Sequence, residues 1–348
     1  CKADFEAWVR ALPDSQTPAW LGLPVNAESV LLRNKAKVAV SKILKLQSMQ
    51  EDEYVGGEAE AAAAAAASGD GSGVALPAWM RSLHTSLQQW SEHLPAGLTS
   101  MTSSAENVAN PLFRCIEREN ERARSLLGVI RKDVADLDAV CRGEMKQTNH
   151  LRELLVYLSK GMIPKSWRAY SVPDSLSVNV FVKDLALRLQ QLEDLAGQAS
   201  TFGRDGIILG RLFSPEAFLT ASRQAAAQAK EWPLEELELA VYVGEESGDD
   251  LQSFAILDLN VEGAEWREGA LHLSEKISTT LPVARFRWGN PRVEDVPPRR
   301  LIRLPVYLNS SRKVLLFDVQ VDGPQGLGDL DFAQRGIAIV ATSYENIV

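Results

Sequence analysis

Three cysteines in 348 residues, Cys1, Cys115 and Cys141, are too few and too scattered for a disulfide framework, and a reducing compartment is expected. No stretch approaches the roughly 20 consecutive apolar residues of a membrane span. No charged-then-apolar leader opens the sequence. Neither membrane insertion nor secretion is therefore expected. The first residue is Cys rather than Met, which points to a fragment of a longer protein. Clustered basic residues are missing too. Residues 1–233 hold 26 Lys and Arg against 27 Asp and Glu, whereas residues 234–348 hold 11 against 19, so the net charge of -9 sits almost wholly in the C-terminal third. Such a surface repels phosphate, which argues against nucleic acid and favours protein partners.

Signatures of chemistry are equally scarce. A phosphate-binding loop needs glycines for close backbone approach and a Lys to meet the phosphates, and no G-x-x-x-x-G-K-[ST] occurs. Gly203, Gly206 and Gly210 in FGRDGIILGRLF lack that Lys and read as turns between two helices. His84, His93, His150 and His272 are scattered and no two cysteines are close, so no zinc site is expected. No G-x-S-x-G marks a nucleophile. Cys115 and Cys141 fall on the apolar side of a helix and read as core. Glu236 and Glu238 read as solvated residues on the outward face of a strand. No catalytic, cofactor-binding or metal-ligating residue is predicted.

What is present is a hydrophobic content of 45%, enough for two or three units with real cores. The opening stretch predicts a short helix, a Pro-punctuated loop, and a helix capped near Asn26 with Val30, Leu31, Val38, Ile43, Leu44 and Leu46. Residues 51–76, acidic and then Ala- and Gly-rich, have no packing pattern and read as a linker. Helical patterning resumes at Pro77. Asn110-Pro111 starts a long helix in which Ile116, Ala123, Ile130 and Leu137 recur every seven residues, joined by Leu127, Val134 and Cys141, until Gly143. This stripe reads as bundle core rather than a coiled-coil face for a partner. A second helix runs through Leu151, Leu154, Leu155 and Leu158 to Gly161. A third, capped by Ser177, carries Val178, Val182, Leu185, Leu189, Leu192 and Ala196 to Gly197, and a fourth starts at Ser214-Pro215 and reaches about Lys230.

After Trp232-Pro233 the period becomes two. Leu237, Leu239, Val241 and Val243 alternate with Glu236, Glu238, Ala240 and Tyr242. Similar runs follow at Leu257/Leu259/Val261, Leu271/Leu273, Phe286/Trp288, Ile302/Leu304/Val306/Leu308, Leu315/Phe317/Val319/Val321 and Ile337/Ile339/Ala341. About seven short strands without an intervening helix argue against a parallel sheet. Pro305 is expected at an edge or a bulge. The predicted class is α+β, an N-terminal helical bundle followed by a small antiparallel β-barrel or sandwich.

Several segments together resemble the C-terminal region of dynein heavy chains: TPAWLGLPVNAE (17–28), PAWMRSLH (77–84), PLFRCIERE (111–119), KQTNHLRELL (146–155), GMIPKSW (161–167), GRLFSPEAFLTASRQ (210–224), LPVYLNSSRK (304–313) and RGIAIV (335–340). LPVYLN and WPLEEL (232–237) are similar to the cytoplasmic rather than the axonemal form. The resemblance implies that residues 1–50 end the helical lid of the sixth AAA+ module, that 51–76 form a flexible linker, that 77–233 are the helical part of the C-terminal domain, and that 234–348 are its β-barrel. It further implies a cytoplasmic, cytoskeleton-associated motor. ATP or ADP would be bound by other modules of the parent protein, not by this segment. The partners implied are the AAA+ ring of the same heavy chain, the dynein intermediate, light intermediate and light chains, dynactin and microtubules. The segment itself would be a regulatory cap without a nucleotide site.

Such a cap works only by contacting ring modules differently in their nucleotide states, since an equal contact shifts nothing. The apolar faces of the helices starting near Asn110 and Ser177 are expected to pack on each other and on the ring, with the acidic barrel outermost. Deleting residues from about 234 onward should alter velocity, run length or stall force without abolishing ATP hydrolysis. Two rivals are an autonomous module whose acidic barrel recruits a basic partner, and an enzyme whose residues converge only in space.

Overall fold

The computed structural model describes residues 2–11, 78–105, 107–173, 176–197, 206–244, 253–293, 301–324 and 326–342, with seven isolated helical positions between 32 and 43. The cap at Asn26, the rest of the helix predicted after it, the run 51–76 and Gly203 lie outside the described residues. Helix α1 spans Lys2–Arg10, followed by α2 (Ala78–His93), α3 (Pro111–Cys141), α4 (Asn149–Ser159), α5 (Val178–Gly197) and α6 (Pro215–Lys230).

Local chemistry sets these limits. The Asn110 side chain accepts the Leu112 N–H at 2.9 Å, and Pro111 occupies a first position where no donor is needed. Thr148 Oγ1 caps α4 by accepting the Leu151 N–H at 3.3 Å. Gly143 and Gly161 take left-handed φ values of 76° and 65° beyond α3 and α4, a conformation that side chains oppose. Ser214 precedes Pro215 as predicted, but its hydroxyl accepts from Arg122 at 2.7 Å and makes no cap bond.

The seven-residue stripe of α3 is core. Ile116, Ala123, Ile130 and Leu137 are 0% exposed, and α3 lies in contact with α2, α4, α5 and α6. Burying each Leu or Ile contributes about 1.5–3 kcal/mol, so this one helix organises the layer. Rings continue it. Trp90 meets Trp167 edge-on at 6.3 Å, Trp167 stacks on Phe181, Phe181 on Tyr170, and Tyr170 meets Phe213 edge-on at 5.3 Å.

The β-rich part has ten strands among the described residues: β1 (Glu238–Val243), β2 (Ser253–Ile256), β3 (Asn260–Glu262), β4 (Ala264–Arg267), β5 (Ala270–Leu273), β6 (Thr279–Thr280), β7 (Ala284–Gly289), β8 (Leu301–Asn309), β9 (Leu315–Asp322) and β10 (Ala338–Thr342). A six-residue helix, α7 (Asp329–Gln334), precedes β10. The strands form three sheets, ordered β1-β7-β2, β6-β3-β10-β8-β9 and β4-β5.

Three expectations need correction here. The sheets are not closed barrels, because no ladder among the described residues joins one end of a sheet to its other end. The pairing is not wholly antiparallel: β10 runs parallel to β8, with β9 and α7 between them in sequence. β9 reverses the direction of β8, and the next reversal, through α7, brings β10 back in the direction of β8 on its other side. Of the run read at Leu257/Leu259/Val261 only Val261 lies in a strand, β3; Leu257 and Leu259 fall in the connection from β2, where Asp258 takes a φ of 59°. Pro305, expected at an edge or a bulge, stands in register opposite Asp318, and the irregularity falls just beyond it, between Val306 and Tyr307.

One apolar core extends from Met80 to Ala341. Rings carry it from helix to sheet: Phe218 of α6 meets Phe254 of β2 at 5.4 Å, Phe254 stacks on Phe286 of β7, and Phe286 meets Phe317 of β9, both at 5.7 Å. Residues 206–213 form the joint. Ile207 accepts the Leu257 N–H and donates to the Ala255 carbonyl, a parallel bridge onto β2. Gly210 approaches β10 so closely that a Cβ would stand 2.1 Å from Thr342 Oγ1 and 2.3 Å from the Ala341 carbonyl oxygen. Only glycine permits that approach.

Candidate functional site

Buried ionisable groups of the helical layer gather where α3, α5 and the joint meet. Asp184 and Arg188, both 2% exposed and one turn apart on α5, bond at 2.8 Å. Tyr170 donates its hydroxyl to the same Asp184 oxygen at 2.8 Å, and Arg188 Nη1 donates to the Leu212 carbonyl at 2.8 Å. From α3, Glu119 accepts the N–H groups of Phe213 and Ser214 at 2.5 and 2.9 Å. Burial pushes the Glu119 carboxyl above its ordinary range, opposed by those two N–H groups and by Arg122 and Arg188. A second knot centres on Asp133 of α3, held by His150 Nε2 at 2.9 Å and Trp167 Nε1 at 2.8 Å. Apart from the Asp184–Arg188 bond, which lies within α5, these bonds tie separate parts of the backbone together.

The residues weighed from sequence fall as follows. Burial, the largest cause in both cases, pushes the thiols of Cys115 and Cys141 up to about 12 and about 11, so at neutral pH both are thiols in the core. His84 reaches Asp138 at 2.9 Å, His150 reaches Asp133, and His93 bonds the Gln89 carbonyl. No group of three His, Cys, Asp or Glu side chains that could hold a metal occurs among the described residues. No helix there is long and apolar enough to cross a membrane. Glu236 departs from expectation. It lies in a 3-10 turn, Leu234–Glu236, before β1, and accepts from Asn290 Nδ2 at 3.0 Å and Arg292 Nη1 at 2.7 Å. Glu238 is exposed on β1, as predicted.

The knots at Glu119, Asp133 and Asp184/Arg188 escaped the sequence reading. Asp184 and Arg188 did leave a signal, an (i, i+4) charge pair set among Phe181, Val182, Leu185 and Leu189. Glu119 left none, because its partners are backbone groups 94 and 95 residues further along the sequence.

Two surface features remain as places of contact. Phe5 and Trp8 of α1 are 64% and 57% exposed with their rings 5.9 Å apart, and Leu32, Val40 and Ile43 are also exposed. Between α5 and the loop joining α2 to α3 runs an open groove of about 630 Å³, lined in part by Glu92, Leu98, Lys183, Leu187, Glu193 and Asp194.

The class so defined is an α+β domain in which a layer of long helices shares its core with small mixed sheets. Residues 33–341 match the family model described as the C-terminal domain of the dynein heavy chain, and this protein belongs to that family. It is 38% identical to the cytoplasmic dynein heavy chain of Drosophila melanogaster over 98% of its own length, 37% identical to that of Dictyostelium discoideum over 97%, and 36% identical to that of Caenorhabditis elegans over 98%. It spans only 7–8% of the length of these curated relatives.

Proposed function

We propose that this segment is the non-catalytic C-terminal cap of a cytoplasmic, microtubule minus-end-directed motor, packing on the AAA+ ring of its own heavy chain and modulating that ring's conformational cycle, processivity and force. Family membership supports the setting. The observation that carries the reading is the use made of the interior charge: Glu119, Asp133, Asp184 and Arg188 each bond a group outside their own helix. A rigid body of this kind changes an ATPase through where it presses, by contacts that differ between nucleotide states. In the same reading nucleotide is bound by other modules of the parent protein. Microtubules, dynactin and the intermediate, light intermediate and light chains belong to the parent assembly.

Two adjustments sharpen the test. The α3 stripe is consumed inside this segment, so contact with the rest of the ring falls to other residues, with Phe5 and Trp8, in the stretch read as the sixth module's lid, the most exposed aromatics among the described residues. Truncation near 234 would strip Phe254 from Phe218 and expose core, so point substitutions are the cleaner probe. In the full motor, Phe5→Ala with Trp8→Ala should change run length or stall force while ATP hydrolysis persists. Unchanged single-molecule behaviour, with normal expression, would overturn the α1 contact.

A further inference from the structure

The loop from Leu94 to Asn110 is fastened to its neighbours through serine and threonine hydroxyls. Thr99 donates its N–H, at 2.9 Å, and its hydroxyl to the carboxylate of Glu193 on α5. Ser103 donates its hydroxyl to Glu117 on α3. Ser100 accepts from Arg124 Nη1 at 2.9 Å, and Arg131 Nη1 donates to the carbonyls of Leu94 and Pro95 at 3.0 Å each. Thr99, Ser100 and Ser103 are all exposed. The hydroxyl bonds to Glu193 and Glu117 therefore form a latch on the molecular surface, and its strength depends on each hydroxyl keeping its proton to donate.

The sequence around one of these hydroxyls is Ser103-Ser104-Ala105-Glu106. A hydroxyl three residues before a carboxylate is the pattern that acidic-directed protein kinases read. We propose that Ser103 is a phosphoacceptor for a kinase of that class, and that its phosphorylation breaks the loop's tie to Glu117 while the ties of its earlier residues to Arg124 and Arg131 remain. In the transfer, Ser103 Oγ bonds to the γ-phosphorus of ATP while the bond from that phosphorus to the β,γ-bridging oxygen breaks. ADP departs, and the hydroxyl proton passes to the kinase's catalytic carboxylate.

Two changes then act at one place. The donor that held Glu117 is gone, and a group of charge about -1.5 to -2 stands before the same carboxylate. Repulsion replaces a charge-assisted hydrogen bond. Pro95, Gly97 and Leu98 of this loop line the groove opposite Leu187, Gln190 and Glu193 of α5, and stay tied by Arg131 and by Thr99 to Glu193, so the loosening is confined to the stretch around Ser103.

The test uses the whole protein, incubated with an acidic-directed kinase and magnesium ATP and mapped by peptide mass spectrometry. Phosphate should be found at Ser103 and be lost in Ser103→Ala, whose exposed position leaves the fold intact. Hydrogen exchange across residues 98–105 should quicken about tenfold on phosphorylation, the factor for losing one charge-assisted hydrogen bond. In Glu117→Gln, which removes the repelling charge, that acceleration should shrink. An unmodified Ser103, or a modified one with unchanged or slower exchange, would overturn the proposal. Neither readout depends on the segment's role in a motor.

Discussion

The helical layer and the sheets both bury charged residues but neutralise them differently. In the layer, Asp184 and Arg188 are both 2% exposed and satisfy each other inside the core. In the sheets, the buried carboxylates of Glu262 and Glu265 reach outward to Arg312, 33% exposed, and Lys276, 65% exposed. A pair taken wholly out of water loses both hydration shells, and removing one partner strands the other. A carboxylate paired with a solvated cation keeps water as a substitute. The Asp184–Arg188 pair of the layer thus has no fallback, whereas the sheet pairs, like Asp133 with the 54%-exposed His150, have one.

The largest test of that contrast is Arg188→Ala. It leaves Asp184 with only the Tyr170 hydroxyl among its described bonds and removes the tie to the Leu212 carbonyl. A loss of about 3–5 kcal/mol is expected in urea unfolding of the protein. The double variant Asp184→Leu with Arg188→Met should recover much of it, because apolar residues of similar volume replace such pairs at little cost. A loss below about 1 kcal/mol for the single variant would erase the distinction between the two regions.

Next in size is a pH effect of unusual sign. Most carboxylates are favoured in their ionised form by the fold, and their contribution disappears in acid. Glu119 is the reverse, since burial raises its folded pKa above the ordinary 4.5. The folded state then binds its proton more tightly than the unfolded state does. Its contribution is fully present below pH 4.5 and is lost as pH rises through the raised value. Glu119→Gln should therefore flatten that part of the stability-against-pH curve measured by thermal melts. A curve of unchanged shape would show that Phe213 and Ser214 already compensate the burial.

The two regions also differ in how far their residues announce the structure. Ile116, Ala123, Ile130 and Leu137 announced α3 because a long helix repeats its buried face many times, and Asn110-Pro111 and Gly143 marked its ends through backbone chemistry local to those residues. The sheets offer no such repetition. β2 is four residues long and left no run in the sequence, whereas β10, buried along its whole length, was marked only by Ile337, Ile339 and Ala341. The β4-β5 hairpin turns at Glu268-Gly269, both with positive φ, a turn more often signalled by Asn or Asp before Gly. The parallel pairing of β8 with β10 and the bridge from Ile207 to Ile256 depend on distant partners. The same limit hid the site residues: Glu119 matters through backbone groups that become its neighbours only when the joint closes over α3.

The smallest effect belongs to the sheets. Lys276 Nζ lies 2.9 Å from Glu265 Oε2, yet the Lys side chain is 65% exposed and Arg267 also pairs with that carboxylate. Lys276→Ala leaves Glu265 with Arg267 and with water, so a loss of no more than about 1 kcal/mol is expected. That loss should diminish further as salt is raised, because an exposed pair is screened over about 8–10 Å at physiological ionic strength, whereas the Arg188→Ala loss should hardly move. Measuring both variants at low and high salt separates the two regions more sharply than either loss alone. If Lys276→Ala matched Arg188→Ala in size and in indifference to salt, Glu265 would have to be as thoroughly desolvated as Asp184, and the sheets would share the layer's manner of holding charge.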